Sequence, residues 1–217
     1  YEVDMRLRPS GKKGPVAVQL SSFVQYQREE AETWEKMAIS RARPICGDAS
    51  LLDDLRTTIE SSLAEARDLH ALAREIRDMR ELIASEKGDD DPSDLKLYRG
   101  GLIEVEFIAQ FLVLAYAAQH RNLLVVGTSD ILRRAVSAGL LAVADAETLL
   151  AAHRLYTDVV QMQRVLLPVD LKPDDAPAAV RRRIATSAGL PDDKQLNAEL
   201  VERTEAVAAL FRRLLAA

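Results

Sequence analysis

Between residues 102 and 119, apolar side chains fall on nearly every side of a helical period. Ile103, Phe107, Phe111 and Leu114 mark one side, and Val105, Ile108, Leu112, Val113 and Tyr116 fill the others. A helix that is apolar all round must be buried, either in a bundle core or in a membrane. Gln110 interrupts the run, which is also too short to span about 30 Å of hydrocarbon, so the pattern predicts the central helix of a bundle. Glu106 and Gln110, four residues apart, add a polar stripe to a helix that is otherwise dry.

The remaining pattern frames this helix. Residues 1–8 alternate, with Tyr1, Val3, Met5 and Leu7 on one face, and Val16, Val18 and Leu20 alternate in the same way. Period-two alternation predicts two strands, at 1–8 and 15–20, paired as a β-hairpin around the Pro9-Ser10-Gly11 turn. A helix capped by Ser21 or Ser22 is expected to run to about residue 43, burying Phe23, Tyr26, Trp34 and Met37, with Pro44 ending it. A near-heptad stripe through Leu52, Leu55, Ile59, Leu69, Ala73, Ile76 and Ile83 predicts one long helix over 48–87, or two that break near 61–67. The acidic run 86–94, with Gly88 and Pro92, reads as a surface loop in which the Asp89/Asp91 spacing carries no site. Further helices are expected from Thr128 or Ser129 to about 138, over 145–167, in a short piece ending near Gly189, and over 193–216. The fold class is therefore mainly α: a bundle of about seven helices preceded by a β-hairpin.

Composition narrows the function. With 217 residues, 48% of them hydrophobic, the chain can bury a substantial core. A net charge of -5 describes a mildly acidic protein without a general nucleic-acid or membrane surface. Arg181-Arg182-Arg183 reads as a solvated helix face. The lone Cys46 fits a reducing, cytoplasmic setting and reads as a structural thiol. His70, His120 and His153 lack zinc-ligand spacing. The sequence opens on Tyr1 rather than Met, which suggests a piece of a longer polypeptide.

Candidate chemistry concentrates just before the central helix, in Lys96-Leu97-Tyr98-Arg99-Gly100-Gly101. Glycines let a ligand approach the backbone, a helix N-terminus offers unsatisfied N–H groups, and Lys96 and Arg99 add cations. One reading is a phosphate or nucleotide corner. The other is a simple turn, with Glu104 and Glu106 as first-turn acids favoured by the helix dipole.

Three blocks in register resemble the glutamine synthetase adenylyltransferases. They are Tyr1-Glu-Val-Asp4-Met-Arg6-Leu-Arg8-Pro-Ser-Gly11; then Tyr26 with Glu30-Ala31, Trp34-Glu35 and Arg41-Ala42-Arg43; and Lys96 with Gly100-Gly101, Glu104, Glu106-Phe107 and Gln110. The second half of the chain resembles the family only in helical pattern and length. The resemblance implies a tandem enzyme of two nucleotidyltransferase units. One unit adenylylates a tyrosine of glutamine synthetase and so regulates nitrogen assimilation; the other removes AMP by phosphorolysis. The acidic-Ala pair and Trp-Glu block look more like the C-terminal, adenylylating unit.

The resemblance further implies that the hairpin is a remnant of a nucleotidyltransferase sheet, with residues 1–47 belonging to that domain and 48–217 forming a helical bundle whose segment 94–110 packs back on the nucleotide site. Asp4 matches the third of three aspartates that hold Mg²⁺ and ATP, making it the catalytic and metal-binding candidate. The Gly-Ser turn and the first two aspartates of the family pattern have no match here, so the chain alone is expected to be inactive. Lys96, Gly100 and Gly101 become nucleotide-binding candidates, with Glu106 orienting Lys96 or an Arg of 41–43. Arg6 is a candidate phosphate or partner contact, with structural pairing equally open. Trp34-Glu35 is expected to supply packing and a salt bridge. Implied partners are glutamine synthetase, the second unit and the PII signalling protein, with the helices over 128–217 facing a protein; nucleic acid and membrane are not implied. Three other readings stay open: the phosphorolytic unit, a PII uridylyltransferase-like protein, and a helical interaction module without chemistry.

Overall fold

The computed structural model describes residues 13–168 and 171–216. Among them are nine α-helices: α1 Leu20–Glu29, α2 Thr33–Ile39, α3 Ala49–Leu63, α4 Leu69–Lys87, α5 Leu102–Tyr116, α6 Thr128–Ser137, α7 Val143–Leu166, α8 Ala178–Ser187 and α9 Asp193–Leu214. The centre is α5, which packs against α2, α4, α6, α7 and α9. All of its residues except Leu102, Glu106 and Tyr116 are buried, as its all-round apolar pattern requires. Among the described residues no helix is long and apolar enough to cross a membrane.

The strand expected over 15–20 is not formed. Residues 15–19 are irregular, Leu20 opens α1, and Val16 stands 67% exposed. Alternation makes a strand only where a sheet face receives the apolar side, and no such face lies among the described residues. The partner strand over 1–8 lies outside them.

The single helix expected to run to residue 43 is two. Glu32 N-caps α2 in a capping box, its side chain accepting from the backbone of Glu35 while its own N–H donates to Glu35 Oε2 at 3.0 Å. Glu35 Oε1 also accepts from the Tyr26 hydroxyl at 2.7 Å, locking the bend between the helices. Glu35 therefore serves a cap rather than the expected salt bridge. Trp34, expected in the core, is 38% exposed and donates from Nε1 to Glu32 Oε2 at 2.8 Å. The Lys36 ammonium is buried, donating to the Gln27 carbonyl and, at 2.7 Å, to Ser62 Oγ. One cation thus joins α1, α2 and α3, and burial pulls its pKa below the usual lysine range.

The stripe over 48–87 breaks between α3 and α4. Asp68 caps α4 by accepting from Ala71 N at 2.7 Å. The Arg67 guanidinium donates to the carbonyls of Ser62 at 2.6 Å, Leu63 at 3.0 Å and Leu114 at 3.3 Å. It thereby satisfies carbonyls that helix ends leave without intrahelical partners. Cys46, read as a structural thiol, is exposed and unbonded.

Candidate functional site

The turn into α5 is closed by its own chain. Gly101 N–H donates to Tyr98 O at 2.8 Å, Leu102 N–H to Leu95 O at 2.8 Å and Ile103 N–H to Lys96 O at 3.2 Å. The first-turn donors that could cradle a phosphate are thus already occupied. Glycine is demanded here by packing. Gly100 has φ +78°, and a Cβ on it would sit 1.9 Å from the Thr204 carbonyl oxygen of α9. A Cβ on Gly101 would lie 2.4 Å from Leu95 O. At the corner formed by Lys96, Gly100 and Gly101, the two glycines receive the protein's own backbone, and of the three only Lys96 is exposed.

Beneath this turn lies a buried charge network. Arg80 and Glu104 are both fully buried, with Arg80 Nε donating to Glu104 Oε1 at 2.9 Å. Arg80 Nη2 reaches Leu97 O at 3.0 Å and Asp89 Oδ2 at 3.3 Å. Arg99 continues the chain of charges to Asp89 at 2.7 Å and to Glu81 at 2.6 Å. Burial pushes the Glu104 carboxyl above the usual range, opposed by the adjacent Arg80 charge. Glu104 is therefore an interior ion-pair partner rather than a first-turn dipole acid. Asp89 is an anchor rather than a member of an idle charge run, and Arg99 is spent on structure. Arg80 left a trace in the sequence, since it occupies the apolar stripe between Ile76 and Ile83.

The polar stripe of α5 opens on a different face. Glu106, whose side chain is 17% exposed, pairs through Oε2 with Arg41 Nη1 at 2.8 Å, while Arg41 is 50% exposed. Of the two partners expected for Glu106, the structure selects the arginine from the 41–43 segment over Lys96. Next to this pair, Ser129 Oγ of α6 lies 3.3 Å from His153 Nδ1 of α7. Desolvation draws the His153 pKa down, with Glu106 acting to raise it and Arg41 to lower it. One turn along α5, Gln110 is buried with Oε1 unpartnered. The contact between Ser129, read as a helix start, and His153 carried no sequence signal, because the two meet only through the α6–α7 packing.

Two family descriptions tile the chain. Residues 1–81 match the glutamate-ammonia ligase adenylyltransferase model, and residues 77–215 match the model described as GlnD PII-uridylyltransferase. A bifunctional glutamine synthetase adenylyltransferase/adenylyl-removing enzyme of Xanthobacter autotrophicus is 43% identical over 215 residues, which is 99% of this chain and 22% of that protein. The counterparts from Bradyrhizobium diazoefficiens and Brucella suis are 42% and 44% identical, again over 99% of this chain and 22% of theirs. The chain belongs to the glutamine synthetase adenylyltransferase family.

It spans about a fifth of the length of these curated relatives. Within this adenylyltransferase region the Arg41–Glu106 pair joins two of the three sequence blocks, the one ending in Arg41-Ala42-Arg43 and the one containing Gly100-Gly101 and Glu106. Asp4 and Arg6, in the third block, lie outside the described residues. Among the described residues no group of three His, Cys, Asp or Glu side chains could hold a metal ion. Those residues alone thus offer no carboxylate cluster for Mg²⁺.

Proposed function

We propose that this chain is the helical body and adjoining edge of the C-terminal, adenylylating nucleotidyltransferase unit. The reaction is transfer of AMP from ATP to a tyrosine hydroxyl of glutamine synthetase. The observation that carries the reading is the Arg41–Glu106 ion pair, which brings two separated blocks of family residues together on a solvent-facing site. Glu106 fixes the guanidinium through Nη1, and the Arg41 side chain stays half-exposed. A planar, preorganised guanidinium suits phosphoryl oxygens, whose negative charge it would balance as the nucleotide is positioned. Exposed Lys96 is a second candidate cation, carried on the turn that Gly100 and Gly101 shape.

Asp4 is the proposed carboxylate ligand of Mg²⁺, an ion that polarises phosphoryl oxygens when bound. It is the one residue here matched to the family's three aspartates, so the isolated chain is expected to transfer no AMP. Glutamine synthetase is the proposed protein substrate, with the second catalytic unit and the PII protein as further partners and the cytoplasm as the setting.

Intact-mass measurement of glutamine synthetase after incubation with Mg²⁺, ATP and the full-length protein tests this. We expect a gain of one AMP per subunit, abolished by Asp4→Asn; a gain that Asp4→Asn leaves unchanged contradicts the assignment. A PII-directed uridylyltransfer is the second reading, favoured by the family match over 77–215. Incorporation of UMP into PII, with none of AMP into glutamine synthetase, would select it.

A further inference from the structure

Away from the Arg41–Glu106 face, a cavity of about 280 Å³ opens between α7, α8, α9 and the turn over 92–98. It shares no lining residue with the proposed nucleotide face. Leu95, Val159, Ile184, Leu196 and Leu200 form its apolar walls. At about 30 Å³ per liquid water, the space equals roughly nine waters. That is small for a drug-sized ligand and suited to a body between a nucleobase and a nucleoside.

The polar groups around these walls divide into two sets. Of the charged ones, Arg181 and Asp193 are spent on each other, while the Asp174 carboxylate makes no ion pair among the described residues. Arg181 Nε pairs with Asp193 Oδ2 at 2.9 Å, and its Nη1 donates to the carbonyls of Ala176 at 2.7 Å and Asp174 at 3.3 Å. The Thr204 hydroxyl is likewise committed as a donor, to Leu200 O at 2.8 Å and Val201 O at 3.0 Å. Among the neutral ones, Ser93 donates its hydroxyl to Asp91 Oδ1 at 2.6 Å, whereas Tyr98, Gln163 and the exposed Asn197 line the cavity with side chains that make no hydrogen bond among the described residues. An apolar enclosure with a few unused polar groups at its edge is the usual anatomy of a small-molecule site.

This division specifies the ligand's chemistry. An anionic ligand would have to break the Arg181–Asp193 pair to find a cation. A neutral one needs only what is free: two carboxamides, each presenting a donor beside an acceptor, and a phenol that does both. Their complement is a flat or apolar body with an amide-type edge, the pattern by which Asn and Gln side chains read nucleobases. The aromatic ring of Tyr98 adds a wall against which such a body can pack.

We propose that this cavity is a binding site for a small neutral heterocycle with an amide-type edge, a nucleobase or nucleoside or an aromatic carboxamide, recognised by Gln163, Asn197 and Tyr98. The site is independent of the adenylyl-transfer reading, since none of its residues takes part in that reading.

The test is calorimetric titration of the full-length protein with adenosine, uridine and nicotinamide, and with benzoate as an anion of similar size. It is repeated on the double variant Gln163→Leu/Asn197→Leu, with thermal unfolding as the check on folding. At least one neutral ligand should saturate with a Kd below about 1 mM, benzoate should bind at least about tenfold more weakly, and the double variant should lose about tenfold or more with an unchanged unfolding midpoint. A nucleoside that binds while nicotinamide does not assigns the nucleobase source, and the reverse assigns the carboxamide. The proposal is overturned if no neutral ligand saturates, if benzoate binds as well, or if the double variant binds undiminished. The last outcome covers adenosine binding at the catalytic nucleotide site instead.

Discussion

Gly100 shows how one missing methyl group decides a contact between distant parts of the chain. Its Cα lies against the α9 backbone, and no rotamer change can relieve a clash with the Thr204 carbonyl. Gly100→Ala should therefore destabilise the protein by about 3 kcal/mol in urea unfolding, combining overpacking with an unfavourable positive φ. Gly139 provides the comparison, with φ +72° and nothing within 4 Å of an added Cβ. Gly139→Ala should cost only the conformational part, about 1 kcal/mol. Equal effects at the two sites would contradict the packing argument. Arg80→Met should cost roughly 3 to 5 kcal/mol, because it strands the buried Glu104 carboxylate without its partner. Converting both residues, Arg80→Met with Glu104→Leu, should recover most of that loss. A double variant as unstable as the single one would show that the ion pair itself, rather than the orphaned charge, matters.

At the scale of elements, α6 and α7 meet at a histidine whose titration couples to the fold. Desolvation holds His153 below its usual pKa of 6.5. The folded state therefore binds fewer protons than the unfolded state between the lowered pKa and 6.5. Stability due to this residue is fully present above 6.5 and is lost as pH falls through the folded value. His153→Gln should flatten the stability profile on the acid side of pH 6.5 while leaving stability at pH 8 little changed. An unaltered acid limb in urea titrations would contradict it.

The same scale shows what the sequence could convey. The apolar run of α5 specified a buried central helix because burial on all sides is written into its composition, whereas the stripe over 48–87 left one helix or two open, since its periodicity continues across the break between α3 and α4. The bend between α1 and α2 was hidden because no Gly or Pro marks it; a Glu32–Glu35 capping box, backed by Tyr26, does the work. Alternation at 15–20 misled because strand formation depends on a partner that a local pattern does not contain. Within the site, Glu106 stood out as a polar residue on a dry helix. Its partner was narrowed to Lys96 or an Arg of 41–43, whereas the buried Arg80–Glu104 pair and the Ser129–His153 contact depend on packing between separate helices.

For the molecule as described, five helices pack around α5 so that two family blocks converge on one open face, while a third, containing Asp4, precedes the described bundle. The buried network of Arg80, Glu104, Asp89 and Arg99 holds the turn that carries Lys96, which makes the interior a scaffold for the face rather than part of its chemistry. The central claim is that Glu106 positions Arg41 for the nucleotide. Because Arg41 is half-exposed, the pair should contribute little to stability, so activity and folding can be read separately. The most direct measurement is the initial rate of AMP transfer to glutamine synthetase by the full-length protein, wild type against Glu106→Gln, with the unfolding midpoint taken on the same samples. The account predicts a rate lowered about 100-fold, the scale of a lost preorganised charge contact, with an unchanged midpoint. A rate within about twofold of wild type would contradict it.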